Sequence, residues 1–352
     1  MRPAPKDYSS FKLFRKDSHI LDSMKKQRAL EGVNIGGWLV VEKWLTPSLF
    51  RGTDAIDEYG LSQTDEGRER IVQHRAEFIR EADFKWLAMH GVELLRIPFG
   101  YWLLANTTEY VGGIERLDWA MQMAEKYKLK VLLDVHGLPG SQNGKFHSGR
   151  AGAITWRRDE SITICKKIAE RYGDSPALWG IEVINEPKVS LRRYWQLLGY
   201  YRRTYRVLKS ILPTHVYVVF SDGFHPWLLA GALLGRRVAM DIHWYAFGAH
   251  NTSRNALLAR VRRRRMALSL LQKIHPVIVG EWNAVVARES WAGDKVSRRA
   301  LALEHHQVQR EIYEDALAQC YWTYKTETDG LWSYRYLQEK VLTEVEKSGK
   351  VG

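Results

Sequence analysis

LWGIEVINEP, residues 178–187, is a near-continuous apolar run that ends in Asn185, Glu186 and a proline. Runs of this kind are typical of strands covered on both faces, as parallel strands beneath helices are. Similar runs recur along the chain and alternate with longer amphipathic segments. The other seven are GVNIGGWLV (32–40), VELLRIPFG (92–100), KVLLDVHG (130–137), HVYVVFSDG (215–223), RVAMDIHWY (237–245), PVIVGEW (276–282) and QCYWTYKTE (319–327).

Strand and helix alternate eight times, which predicts an α/β fold of the (β/α)8 TIM-barrel type in a single domain. An open, doubly wound sheet is the alternative, but no Gly-rich phosphate-binding turn follows the first strand. The chain has 352 residues, of which 45% are hydrophobic, so it can bury a substantial core. We expect an N-terminal extension over residues 1–28 and the barrel over residues 29–352. The long segment 46–65 is expected to lie over the barrel mouth.

The N-terminal segment MRPAPKDYSSFKLFRKDSHI mixes charged and apolar residues and lacks the apolar run of a signal peptide. No apolar stretch approaches the roughly 20 residues that span a bilayer. The sequence as written therefore predicts a cytoplasmic protein without a membrane span, or an extracellular one if the chain is a trimmed mature form. Cys165 and Cys320 are too few for a disulfide framework and are expected to be buried thiols.

The chain is strongly basic, with a formal net charge of +13 and a pI near 9.6. The densest basic segment is RVRRRRM, residues 260–266, within a predicted helix from Ser253 to Ile274. A charge run of this kind is usually a solvated helix face, and no nucleic-acid partner is expected. The alternative is contact with an anionic surface or polymer through four consecutive arginines, which are Arg262, Arg263, Arg264 and Arg265.

Polar side chains stand at the ends of nearly all the predicted strands. Catalytic groups of β/α barrels occupy the carboxyl ends of the strands, whereas the strand interiors pack as apolar core. A barrel without a site has no need of such groups, so their position predicts one. The groups are Asn34, Trp38, Arg96, Asp134, His136, Asn185, Glu186, Asp222, His243, Tyr245, Glu281, Trp282 and Trp322.

Glu186 and Glu281 end the fourth and seventh strands, which lie across the barrel mouth from one another. Glycoside hydrolysis uses such a carboxylate pair, one to protonate the leaving oxygen and one to act at the anomeric carbon. We expect Glu186 to be the general acid/base and Glu281 the nucleophile. For each glutamate the alternative is a purely structural role, as a solvated turn residue for Glu186 and an ion-pair partner for Glu281.

Arg96 ends the second strand, and a buried guanidinium requires a carboxylate partner. If that partner is Glu281, the cation would lower the pKa of the nucleophile, while the pKa of Glu186 would be raised. A purely structural buried ion pair is the alternative. Glu182, four residues before Glu186, is expected to support the site from deeper in the barrel.

Neutral groups complete the predicted site. The side chains of His136, Asn185, His243 and Tyr245 suit hydrogen bonds to sugar hydroxyls, and Trp322 is placed to stack beneath a sugar ring. Trp38, Trp244 and Trp282 fit core packing equally well. Neither histidine has a second ligand nearby in the sequence, so no metal and no cofactor are expected.

These segments together resemble glycoside hydrolase family 5, and within it the exo-β-1,3-glucanase branch known from yeasts. The resemblance rests on GVNIGGWLVVEKWLTPSLF, DEYGLSQ, RIPFGYW, LDVHGLPGSQNG, IEVINEP, DIHWY, VIVGEW and YWTYKTE, in that order. It implies the same two catalytic glutamates and a subsite for the terminal glucose lined by the arginine and neutral groups named above. It also implies that Glu42 contacts that glucose and that Asn143 lies in a matching loop.

Two positions depart from the pattern of the branch. Lys145 stands where an aromatic residue follows SQNG, with Phe146 one step on, and the aromatic residue beyond HWY is displaced to Phe247. The sequence therefore predicts a retaining β-glycosidase, exo-acting on β-1,3-glucan or its oligosaccharides, with an altered clamp on the second sugar. Alternatives are a glucan transglycosylase, a β-glucosidase on another glucoside such as β-1,6-glucan or a glucosylated lipid, and a non-catalytic carbohydrate-binding barrel or anionic-polymer binder.

Overall fold

The computed structural model describes residues 28–104, 107–246, 253–290 and 297–343. Eight parallel strands pair in sequence order within these residues, and the eighth pairs with the first, which closes the barrel. The strands are β1 Leu30–Asn34, β2 Leu94–Gly100, β3 Lys130–Gly137, β4 Leu178–Glu182, β5 Tyr217–Ser221, β6 Val238–His243, β7 Val277–Trp282 and β8 Ala318–Tyr321. The predicted TIM barrel is confirmed, and of the predicted N-terminal extension only Arg28 lies inside the described residues.

Helices surround this barrel and alternate with its strands. In the described residues they are α1 Glu58–Leu61, α2 Asp65–Glu77, α3 Glu81–Met89, α4 Ile114–Lys126, α5 Arg158–Tyr172, α6 Leu191–Lys209, α7 Pro226–Leu229, α8 Arg254–Leu271, α9 Arg298–Tyr313 and α10 Tyr334–Tyr336. Short 3₁₀ turns cover Pro47–Phe50, Tyr101–Leu103, Phe146–Ser148 and Arg288–Ser290, and a π turn covers Leu337–Leu342. Within the described part of the chain, no helix combines the length and apolar character that crossing a bilayer requires.

Helix α6 illustrates how the sequence sets a helix on the barrel. The side chain of Ser190 accepts a hydrogen bond from the backbone N–H of Arg193, which caps the helix start. Leu197, Tyr201 and Leu208 then fall on the buried face at helical spacing. Because an outer helix returns antiparallel to the strands, its N-terminal turn lies at the mouth of the barrel.

The barrel interior is divided into two layers. The lower layer is an apolar cluster formed by inward-facing side chains, which are Leu94, Leu132, Val219, Ala239, Ile278, Ala318 and Cys320. Two residues further along four of these strands, the same inward parity brings Arg96, Asp134, Asp241 and the backbone of Gly280 above that cluster. The carboxyl-end half of the lumen is therefore ionic, and it supports the groups at the mouth.

The segment 46–65 does not line the central cavity, contrary to expectation. Its helix α1 packs to one side, where the buried Glu58 accepts hydrogen bonds from Arg75 at 2.5 Å and from the Trp102 indole at 2.7 Å. The Trp102 bond joins this segment to the loop after β2, and the Ala151 backbone N–H donates to Asp57 at 2.7 Å, which joins the segment to the loop after β3. The groups that enclose the cavity come from other loops.

Candidate active site

A cavity of about 780 Å³ opens at the carboxyl ends of the strands. Eight of the ten predicted site residues line it, and these are Glu42, His136, Asn143, Asn185, Glu186, Tyr245, Glu281 and Trp322. The other two, Arg96 and His243, lie directly beneath and contact the lining carboxylates. The ten residues predicted from the sequence therefore lie together at one cavity.

Glu186 lies four residues beyond the end of β4, so a loop carries it into the cavity. Its φ of +43° is in the left-handed region, which non-glycine residues rarely adopt. The Asn143 side-chain amide donates to the Glu186 backbone carbonyl at 3.1 Å and helps to fix this conformation. His243 Nδ1 lies 2.7 Å from Glu186 Oε1, and His147 Nε2 lies 3.3 Å from Oε2.

Glu281 lies within β7 and is held from two sides. Arg96 donates to Glu281 Oε1 at 3.0 Å, so the expected contact between the two is present. The Tyr245 hydroxyl donates to the other carboxylate oxygen at 2.6 Å. Both bonds favour the ionised carboxylate and fix its plane.

The two glutamates are close enough to act on the same bond. One carboxylate oxygen of Glu186 and one of Glu281 lie within 4.8 Å of each other, and a nitrogen of His243 lies within the same distance of both. Carboxyl groups in retaining glycosidases are about 5–5.5 Å apart, whereas inverting enzymes separate them by about 6.5–9.5 Å. An approach of two oxygens to within 4.8 Å agrees with the shorter of these two separations.

The expected order of the two pKa values is reversed in the substrate-free site. Burial tends to raise the pKa of Glu186, but the hydrogen bond and charge of His243 outweigh it and lower the pKa to about 2. Burial raises the pKa of Glu281 above its ordinary value, against the opposing charges of His243 and Arg96. The physical reason is the imidazole between the carboxylates: its neighbouring carboxylates raise the pKa of His243 well above its usual value, against the effect of burial.

Arg96 is the centre of the ionic layer beneath the cavity. Besides Glu281, it contacts Glu182 through Nε at 2.8 Å and Asp134 at 3.0 Å, and both carboxyl groups are fully buried. Burial raises the pKa of Glu182 well above its usual value, against the opposing charge of Arg96. The network fixes the guanidinium that orients Glu281, which is the supporting position expected of Glu182.

Asp241 packs directly against the backbone of Gly280, beneath the two glutamates. The Gly280 backbone N–H donates to Asp241 Oδ1 at 2.7 Å, and a Cβ on residue 280 would lie only 2.0 Å from that carboxylate. Asp241 Oδ2 is in turn 3.4 Å from His243 Nε2. Only glycine at position 280 leaves room for the carboxylate that holds His243 from below.

His136 and Asn185 form the wall next to Glu186. Burial tends to lower the pKa of His136, but the Asp134 carboxylate at 2.6 Å raises it above its usual value. The Asn185 amide lies 3.3 Å from the other ring nitrogen and accepts a hydrogen bond from Arg96. The imidazole stacks on Trp322 with ring centroids 5.8 Å apart, which gives the cavity an aromatic floor.

Glu42 and Trp44 come from the segment after β1 and line the opposite wall. The Trp44 indole donates to Glu42 at 2.9 Å. Burial nevertheless raises the pKa of Glu42 to about 7, so near neutral pH the carboxyl group exists in both protonation states. It can therefore both accept a hydrogen bond from a sugar hydroxyl and donate one to it.

Several lining residues were not predicted from the sequence. Trp44, His147 and Trp332 lie in loops, where no periodic pattern marks them. Trp38 and Trp282 are buried core residues outside the cavity lining, which settles the two alternatives left open for them. Phe247, the displaced aromatic residue, lies outside the described residues.

The arginine run on α8 does not form one uniform outer face. Arg264 turns inward, where it donates to the backbone carbonyls of Trp244 at 3.0 Å and Tyr245 at 2.7 Å. The predicted anionic contact through all four arginines is wrong for this residue, because its guanidinium is used to hold the loop that carries Tyr245. Arg262, Arg263 and Arg265 remain exposed.

In the described residues, two sets of side chains have candidate metal-ligand atoms within 4.8 Å of one another. They are Glu186–His243–Glu281 and Glu182–Asp241–His243. In both sets positive charge is already supplied by Arg96, which contacts a carboxylate of each, and by the raised pKa of His243. The hydrogen bonds among these side chains explain their short separations.

Comparison with known proteins places the chain among glycosidases. The family model described as Cellulase (glycosyl hydrolase family 5) matches residues 71–327. "Probable glucan 1,3-beta-glucosidase A" of Aspergillus clavatus is 38% identical over 283 residues, which cover 75% of this chain and 68% of that protein. "Glucan 1,3-beta-glucosidase" of Pichia angusta is 39% identical over 212 residues, 55% of this chain and 48% of that protein.

Solved structures share the architecture at lower identity. A rutinosidase from Aspergillus niger superposes with a TM-score of 0.78 at 22% identity, covering 89% of this chain and 97% of that one. At this identity the likeness concerns the fold alone, and it agrees with the closed eight-stranded barrel.

Proposed function

The chain belongs to glycosyl hydrolase family 5, and on that premise we propose that it cleaves β-glucosidic bonds with net retention, using Glu281 as nucleophile and Glu186 as general acid/base. The observation that carries the proposal is the approach of the two carboxylates to within 4.8 Å at the floor of one cavity. As a member of this family, the chain is a glycoside hydrolase.

In the first step Glu281 attacks the anomeric carbon while the leaving oxygen takes a proton from Glu186. Arg96 and Tyr245 hold the attacking carboxylate in its ionised form and orientation. Glu186 must bind a proton before it can give one, and the His243 imidazolium is the adjacent source, 2.7 Å away. The products are a glucosyl ester on Glu281 and a free leaving group.

In the second step Glu186, now ionised, takes a proton from water, and the water oxygen attacks the anomeric carbon. This attack breaks the bond between that carbon and Glu281 and releases the sugar with its original anomeric configuration. Glu186 then returns the proton to His243. The same side chains serve both steps, as microscopic reversibility requires.

We propose β-1,3-glucan or its oligosaccharides as the substrate, cleaved from the chain end. The support is the activity for which the fungal relatives are named, together with a cavity whose walls offer hydroxyl-binding carboxyl, amide and imidazole groups above an indole floor. Glu42, His136, Asn143, Asn185 and Trp322 are assigned to sugar binding. The barrel over residues 29–352 is assigned as the catalytic domain.

The test compares wild type with Glu281→Gln on aryl β-glucosides and on β-1,3-, β-1,4- and β-1,6-linked oligosaccharides. Wild type is expected to favour the β-1,3 series. The variant should lose turnover by about 10⁴-fold or more, as enzymes do when the nucleophile is removed. Unchanged turnover in Glu281→Gln would refute the assigned nucleophile, and a preference for another linkage would refute the assigned substrate.

A further inference from the structure

Six of the fourteen exposed large apolar side chains in the described residues lie on one part of the barrel mouth. They stand on or just after the loops that follow β3, β4 and β5, and we call this group the mouth rim. The rim consists of Phe146, Leu191, Trp195, Phe224, Trp227 and Leu228. Leu191 is 88% exposed, Trp195 69% and Trp227 56%. Soluble proteins rarely group such residues without a partner for them.

The three loops are neighbours in space as well as in strand order. A Cβ built on Gly223 would lie 2.7 Å from the Val189 side chain, so the loops after β4 and β5 touch as they leave the barrel. Phe146, Val189 and Phe224 all line the central cavity. Leu191 and Trp195 follow Val189 closely and share one face of α6, being four residues apart.

Positive charge accompanies the rim. Lys145 and Lys188 line the same side of the cavity, and Arg192 and Arg193 lie in the first turn of α6. None of these four has a carboxylate partner among the described residues. From Pro187 to Gly280 the sequence holds sixteen Lys and Arg residues and only two acidic ones, both buried. Two of these cations pair with carboxylates from elsewhere in the chain, Arg203 with Asp159 and Arg254 with Glu304. The excess of cations still gives this flank of the barrel a net positive charge.

We propose that the mouth rim docks on an anionic lipid bilayer, with the tryptophans and leucines at the headgroup boundary and the basic residues against the lipid charges. Indole side chains favour the membrane interface, and clustered Lys and Arg bind anionic leaflets. An anionic polysaccharide or nucleic acid would use the charges but leave Leu191 and Leu228 in water, so the apolar residues favour lipid. Docking turns the cavity opening toward the bilayer and leaves the barrel itself outside it.

The experiment is co-sedimentation of the full chain with phosphatidylcholine vesicles and with vesicles in which about a third of the lipid is phosphatidylserine. Wild type should bind the anionic vesicles at least tenfold more tightly, and binding should weaken as salt rises. Trp195→Ser combined with Trp227→Ser should weaken binding at least tenfold. Arg192→Gln combined with Arg193→Gln should weaken it severalfold and reduce its dependence on salt. The control is Met89→Ser, which removes a residue that is 73% exposed and lies on α3, away from the rim.

Turnover of a soluble aryl β-glucoside and the melting temperature test whether the variants fold. Both should match wild type in the tryptophan variant, since neither indole lines the cavity. Absence of wild-type binding to anionic vesicles would overturn the proposal. Salt-sensitive binding that the tryptophan pair does not change, with equal binding to heparin, would overturn it in favour of an anionic polymer.

Discussion

His243 Nδ1 lies 2.7 Å from Glu186 Oε1 and 3.4 Å from Glu281 Oε2, so a single imidazole bridges the two glutamates. Its cation explains why the pKa of Glu186 is low and why the expected order of the carboxyl pKa values is reversed. In the mechanism proposed above, the proton that Glu186 delivers is held on this neighbour in the resting site. Asp241 holds that neighbour from below.

The pH dependence of kcat/KM follows from these shifts. Activity should fall as pH drops through the raised pKa of Glu281, because the protonated carboxyl group cannot attack, and this limb lies at higher pH than for an ordinary glutamate. It should also fall as pH rises through the raised pKa of His243, because the shared proton is lost.

Replacing His243 by asparagine should move the alkaline limb to lower pH and reduce kcat about 10²-fold. Without the imidazolium, Glu186 must hold the proton alone and titrates by itself. The pH profile of aryl-glucoside hydrolysis measures both effects. His215→Asn, at an exposed position before β5, is the control and should match wild type. An unmoved alkaline limb in His243→Asn would show that the proton is not shared.

Glu186→Ala should lose about 10²–10⁴-fold in turnover of glucosides with poor leaving groups, which need a proton on the departing oxygen. The loss should be much smaller for a dinitrophenyl glucoside, which departs without protonation. Added azide should then react with the glucosyl ester and yield β-glucosyl azide. Glu170→Ala on the surface of α5 should change none of these rates. Equal losses on both classes of leaving group would contradict the acid role.

The barrel was predictable from the sequence because each strand is marked by its own local pattern. The run KVLLDVHG matches β3 residue for residue, and Glu186 and Glu281 follow from their places after such runs. The pKa order was not predictable. It depends on a register shift between Ile242 and His243 that places His243 opposite Glu281. The register between two strands cannot be predicted from the spacing of residues within one strand.

Loop geometry accounts for the other omissions. His147 reaches Glu186 from a 3₁₀ turn after β3, where neither strand nor helix period applies. Arg264 lies in a charge run of the kind that usually faces solvent, yet its position on the helix turns its guanidinium inward. The exposure of the mouth-rim side chains also depends on which residues pack beside them in the closed barrel, and this cannot be predicted from local sequence.

Arg96→Lys should abolish activity and lower the free energy of unfolding by about 3–5 kcal/mol. A single ammonium cannot replace a guanidinium that contacts Glu182, Asp134 and Glu281 at once, so buried carboxylates lose their partner. Urea unfolding measures the stability. Arg70→Lys, in a surface ion pair with Glu66, should change it by less than about 1 kcal/mol. Equal small effects would mean that the buried network is dispensable.

Glu42→Gln should raise KM for β-glucosides about tenfold, equivalent to about 1.4 kcal/mol of binding. The ratio of wild-type to variant kcat/KM should grow as pH rises through about 7, because the ionised carboxylate accepts hydrogen bonds more strongly than an amide does. Glu109→Gln, at an exposed position outside the cavity lining, is the matched control. A ratio constant with pH would contradict the contact between Glu42 and the sugar.

Trapping the covalent intermediate tests the assignment of the two glutamates most directly. A 2-deoxy-2-fluoro-β-glucoside with a good leaving group should inactivate the enzyme, and mass spectrometry of its peptides should find one fluoroglucosyl unit on Glu281, with none when Glu281→Gln is treated. Attachment to Glu186, or an α-configured first product from the unfluorinated substrate, would contradict it.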